Sequence, residues 1–203
     1  MRVICRYSAL GLLGISLSAC MSLSPIATPP VNHYIINSLP VAKPITARTH
    51  FSLTVMPVTA VVGFDSAAML YLSKPYQLAA FARNDWTAPP ASMISSLLLT
   101  SLQQSQAFSA VIGPQAVGST DLILNTELLA LYQDFTITPS QVVLTMQASL
   151  SEHSGKVLAS EQFAAEVPAS ADNPVAGVTA TNQAVQEVLS NIDSFVIRHT
   201  TGS

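Results

Sequence analysis

The spacing of apolar residues along the chain switches between two and about three and a half, and the switches mark its elements. "HYIINS" predicts a short strand at His33–Ser38, followed by a proline-containing loop through Lys43 and Pro44. In "FSLTVMPV", Phe51, Leu53 and Val55 alternate with Ser52, Thr54 and Met56, as in a half-buried strand. Pro57 has no N–H for a ladder, so this strand ends there or lies at a sheet edge. "AMLYLS" and "YQLAAFA" predict a hairpin with Lys74-Pro75 between its arms. "RNDWTAPP" breaks the alternation, and its paired prolines suit the first turn of a helix. Ile94, Leu97, Leu98 and Leu102 recur at three and four, which predicts an amphipathic helix from about Pro90 to Gln106.

The second half repeats the order. "DLILNTELLALYQDF" predicts a long strand, and Val142, Leu144, Met146, Ala148 and Leu150 alternate through the next. "HSGK" turns that strand back into "VLASEQFAAEV", with Gly155 supplying the permissive backbone of a tight turn. "DNP" combines a capping residue with proline and starts a last helix, whose apolar face holds Val178, Val185, Val188, Leu189, Ile192 and Phe195. Strands, helix, strands, helix define a single α+β domain: a mostly antiparallel sheet with two main helices packed on one face. The domain is expected to span residues 32–200.

The two cysteines, Cys5 and Cys20, both fall in the first twenty residues. Arg2 and Arg6 precede an apolar run from Ala9 to Leu17, and small residues Ser18 and Ala19 follow, the layout of an export signal over residues 1–19. The run is shorter than the ~20 residues a membrane-spanning helix needs. "LSAC", residues 17–20, resembles the bacterial lipobox, whose cysteine receives a diacylglyceryl group and becomes the first mature residue. That resemblance makes Cys20 the lipidated residue, carrying acyl chains that hold the protein to a membrane. It leaves the mature chain without a thiol for a disulfide. Residues 20–31, which include "MSLSPIATPPV", then read as a flexible tether. Met21 and Ser22 follow the cysteine with no aspartate to signal inner-membrane retention, so the expected location is the outer membrane, facing the periplasm.

Charge changes the picture further. Removing Arg2 and Arg6 from a formal charge of −3 leaves about −5, with no basic run, which argues against nucleic acid as a partner. Charged residues make up 9% of the chain, against about 25% in ordinary soluble domains. Ser, Thr, Gln, Asn and Ala must cover the surface, and such a surface is compatible with self-association into a homo-oligomer.

Chemistry is sparse. His33, His50, His153 and His199 are far apart, and none sits four residues from another as metal-binding pairs do, so no metal or cofactor is expected. No Gly-x-Ser-x-Gly elbow or Gly-rich phosphate loop occurs. Asp65, Asp85, Asp121 and Asp134 read as turn residues, caps or solvated carboxylates. The expectation is a protein that is not an enzyme.

The densest signal after the leader is "LYLSKPYQLAAFARNDWTAPP", which holds Tyr71, Tyr76, Phe81 and the single tryptophan, Trp86. Tyr71 and Phe81 suit a hairpin core. Tyr76 and Trp86 carry polar tips beside loops, where aromatic residues either fill a core or anchor an interface. The stretch resembles the signature of the ABC-type transport auxiliary lipoproteins, which include the PqiC-like proteins. The shared pattern is a strand with Tyr71, then Pro75-Tyr76 with Leu78, then Trp86 followed by Pro89-Pro90, and a helix ending in a piece like "AFSAVIG". Gln77 and Thr87 stand where the family more often has charged residues.

The resemblance implies a non-catalytic accessory lipoprotein beside an ABC transporter permease and ATPase and an MCE-domain protein that carries lipid between membranes. Tyr76 and Trp86 become the candidate partner contacts, and Cys20 the anchor. A second reading is a periplasmic binding lipoprotein holding an apolar ligand between sheet and helices. A third, a hydrolase, requires a serine or carboxylate within hydrogen-bond reach of a histidine.

Overall fold

The element that organises the molecule is one long strand, Leu122–Asp134 (β7). A computed structural model describes residues 29–41, 48–116 and 118–200, with Val31–Ser203 as one compact unit. Cys20, the leader, most of the tether and the Lys43-Pro44 loop lie outside the described residues.

Along one edge, β7 pairs antiparallel over its whole length with Gln141–Glu152 (β8), which pairs in turn with Val157–Pro168 (β9). Along the other edge three shorter strands lie end to end, all parallel to β7. Ser52–Val55 (β2) pairs at Leu122–Leu124, Thr59–Ala60 (β3) at Glu127–Leu128, and Ala68–Lys74 (β4) at Gln133–Asp134. Gln77–Trp86 (β5) returns antiparallel to β4, and Asn32–Tyr34 (β1) adds to β5 in parallel. Ala110–Ile112 (β6) adds to β2 in parallel. The long ladders are antiparallel, as the alternating pattern predicts. The short ladders are parallel, because their chains reach the sheet through loops and a helix and not through tight turns.

Helices Pro90–Ser105 (α1) and Pro174–Arg198 (α2) cover one face of this sheet. Asn173 caps α2 by accepting from the Ala176 N–H at 2.9 Å, and Pro174 fills the first turn. Ser101 Oγ on α1 donates to Asp193 Oδ2 on α2, joining the two helices. The core between layers includes Ile94, Leu98 and Leu102 from α1 and Val185, Val188, Leu189, Ile192 and Phe195 from α2.

β8 buries Val142, Leu144, Met146, Ala148 and Leu150 without interruption, whereas β7 changes parity. Leu122, Leu124, Thr126 and Leu128 are buried first, then Leu131 and Gln133. Leu129 is the extra residue: Leu128 pairs with Met146 and Ala130 with Thr145. This bulge keeps both halves of β7 in step with β8 while turning odd-numbered side chains toward the helices. The uncovered face of β8 and β9 carries uncharged polar residues such as Thr145, Gln147, Ser149 and Ser160, with Gln147 donating to Ser160 at 2.9 Å.

Candidate functional site

The strand directions give the domain two distinct ends. β4 ends, β5 begins, β7 ends, β8 begins and α2 begins at one of them, called here the hairpin end. Lys74 pairs with Gln77, so only Pro75 and Tyr76 make the turn between β4 and β5. Pro75 suits the first central position. Tyr76 takes the second with φ 65°, a left-handed backbone that a turn ordinarily assigns to glycine or asparagine. Its side chain is fully exposed. Leu78 is also exposed, and so is Ile137 in the neighbouring loop Phe135–Ser140.

Beneath this tip, Tyr71, Phe81 and Phe135 form an aromatic cluster with ring centroids 4.5 to 6.1 Å apart. The Phe135 N–H donates to Leu72 O at 2.8 Å, fastening the loop to β4. Asp134 accepts from the N–H and hydroxyl of Thr136 at 2.8 and 2.6 Å. Asp172 accepts from the Ser140 N–H at 2.7 Å, and this bond holds its carboxyl below the usual range. The exposed tips therefore stand on a braced base.

Trp86 is placed differently from Tyr76. It ends β5, at the far end of that strand from the turn, and it is only 4% exposed. Its backbone N–H donates to Ala67 O at 2.8 Å, and it pairs in parallel with Tyr34. With Leu131, Gln133, Gly177 and Thr181 it lines a space of about 10 Å³ between the sheet and α2. The structure thus separates the two aromatic residues that the sequence offers together: Trp86 is a core residue and Tyr76 a surface one. Leu78 enters the sequence reading only as part of the family pattern, and Ile137 does not enter it. The signal for Ile137 is a lone apolar residue inside the polar loop "TITPS".

At the opposite end, a groove of about 550 Å³ is lined by Phe51, Asp121, Glu152, His153, Ser154 and His199, among others. Asp121 accepts from the Ser52 N–H and hydroxyl at 2.7 and 2.6 Å. These bonds, with smaller help from His50, depress its pKa. The His153 N–H donates to Asp121 O at 2.9 Å, and His199 Nδ1 lies 2.9 Å from Phe195 O. His153 occupies the β8–β9 turn, as "HSGK" suggests, and His199 is the C-cap of α2. Among the described residues, no three metal-ligating side chains converge. No described helix is long and apolar enough to cross a membrane.

Fold and site together define an α+β domain with a braced, apolar-tipped hairpin end. Residues 34–193 match the family of ABC-type transport auxiliary lipoprotein components, and the chain belongs to that family. No curated protein matches the sequence. Among solved structures, protein XCC0632 of Xanthomonas campestris, from the DUF330 family, superposes with a TM-score of 0.76 at 19% identity. That match covers 83% of this chain and 96% of the other. The hypothetical protein CT253 of Chlamydia trachomatis superposes at 0.52 with 9% identity, covering 76% and 99% respectively. At these identities the likeness is one of fold.

Proposed function

We propose that this chain is the membrane-anchored, non-catalytic accessory lipoprotein of an ABC/MCE-type system that moves lipid between membranes. The observation that carries the reading is the family match over residues 34–193, nearly the whole described domain. Cys20 is the lipidated anchor, residues 20–31 the reach, and the periplasmic side of the outer membrane the location.

The protein works by docking. The uncovered face of β8 and β9, mostly uncharged polar residues with Glu166 among them, offers hydrogen-bonding groups to an MCE-domain protein or to a second copy of this chain. Of the two aromatic residues considered as contacts, Tyr76 is available at the surface and Trp86 supports the fold from within. The alternative, an apolar ligand held between sheet and helices, draws no support from the space beside Trp86. At about 10 Å³ it is the size of one water molecule.

The test is affinity capture of the full-length chain from crosslinked host membranes. Recovery of an MCE-domain protein with its permease and ATPase is expected for the native chain. A Cys20→Ala variant is expected to leave the membrane fraction and to recover little of that assembly. Capture of none of these partners by the native chain refutes the docking role.

A further inference from the structure

We propose that the hairpin end is a membrane finger, with Tyr76, Leu78 and Ile137 seated at the headgroup–acyl boundary of the same bilayer that holds Cys20. The proposal rests on the anchoring reading above and names the partner of the Tyr76 surface: phospholipid, not protein.

Three observations converge on it. First, large apolar side chains are exposed on three adjacent segments at this end: Tyr76 and Leu78 on the hairpin, Ile137 on the β7–β8 loop and Val175 on the first turn of α2, against Val157 alone among the described residues at the β8–β9 turn end. Apolar groups at the tips of braced loops cost solvation where they stand and recover it in a lipid interface, where aromatic rings with a polar end are favoured. Lys74 flanks the tip and suits a lipid phosphate. The nearby carboxylates of Asp134 and Asp172 are turned into hydrogen bonds with Thr136 and Ser140.

Second, Tyr76 keeps a left-handed backbone at φ 65° in a turn that glycine would make without strain. A strained, fully exposed aromatic residue contributes nothing to the core, which points to a use outside the domain.

Third, the direction of β1 and the length of chain before it leave this end within reach of the anchor. β1 runs parallel to β5, with Asn32 beside Asn84 and Tyr34 beside Trp86, so the chain enters β1 from the side of the hairpin turn. From the level of Ala68, opposite Asp85, to the tip at Tyr76 is a strand length of about 26 Å. The chain from Cys20 to Asn32 spans up to about 40 Å when extended. The acyl chains and Tyr76 can therefore enter one leaflet together. The histidine groove then faces away from that membrane.

Lipidated full-length protein, reconstituted into phosphatidylethanolamine–phosphatidylglycerol vesicles with or without brominated acyl chains, tests the finger. Tyr76→Trp, and Ile137→Trp as a second reporter, are expected to lose most of their added tryptophan emission to the brominated lipid. Val157→Trp, at the start of β9 at the opposite end, is expected to keep its emission. If the native chain fails to float with vesicles, the anchor and the finger both fall. If it floats but neither reporter is quenched, or Val157→Trp is quenched equally, the finger alone falls. Tyr76→Trp emission that changes only on adding the MCE-domain protein reassigns the tip to a protein contact and also overturns the proposal.

Discussion

Gln133 lies directly over Gly177: a Cβ added to the glycine would stand 2.8 Å from Gln133 Cδ and closer still to Oε1. The amide reaches this position because the bulge at Leu129 turns Gln133 toward α2. There its Nε2 donates to Ser140 Oγ at 2.9 Å and to Asn173 O at 3.3 Å, tying the hairpin end to the start of the helix. Gly177→Ala is expected to destabilise the domain by about 1–3 kcal/mol through overpacking. In a Gln133→Ala background the same change is expected to cost clearly less, since the two side chains compete for one space. Urea denaturation of the four variants in the cycle measures this.

Deleting Leu129 removes the extra residue and forces one parity on all of β7. Leu131 and Gln133 would then point away from the helices, or Leu124 and Leu128 would. The expected result is loss of a cooperative urea transition, read by near-ultraviolet circular dichroism.

Trp86→Ala empties a position that is buried among Met69, Leu131 and Val142. A loss of about 3–5 kcal/mol is expected, and Trp86→Phe should recover part of it. An effect below 1 kcal/mol in the denaturation midpoint would remove Trp86 from the core.

Tyr76→Gly relieves a left-handed backbone at a side chain that packs against nothing. The domain is expected to become more stable by about 0.5–1 kcal/mol, part of the ~1–2 kcal/mol that such a conformation costs an L-residue. A stability gain coupled to weaker function would mark the residue as kept for contact. Thermal unfolding of both chains reads the first half of this statement.

The pH dependence follows from groups at both ends of the sheet. Asp121 and Asp172 have pKa values depressed below 3.8 by hydrogen bonds from Ser52 and Ser140. Their contribution is complete above the unfolded value and is lost as pH falls through the lowered one, because the unfolded chain then binds the proton more readily. Tyr132 shifts the other way: burial first, then the charges of Asp134 and Glu166, raise its pKa above 10.0. Its contribution is present below pH 10.0 and is lost as pH rises through the raised value. The melting temperature is therefore expected to fall on both sides, below about pH 4 and above about pH 10. Asp172→Asn should flatten the acid limb, and Tyr132→Phe the alkaline one.

Local rules were enough for much of this fold. The alternation in β8, the "DNP" start of α2, the prolines that open α1 and the glycine of the β8–β9 turn each act over a few residues, and the structure uses them where the sequence offers them. The split of Tyr76 from Trp86 was not legible. Both are aromatic residues beside loops, and only the length and direction of β5 decide that one caps a turn while the other closes the core.

The sequence by itself determined the long strands and both helices in their order, the apolar faces and the family signature, because each depends on spacing within one strand, helix or loop. Tertiary structure alone decided the parallel docking of β1, β2, β3 and β4, and the parity change at Leu129. It also decided the gathering of Tyr76, Leu78 and Ile137 at one end. These arise from pairings between residues distant in the chain, and the free energy that selects them belongs to the packed sheet and not to any one segment.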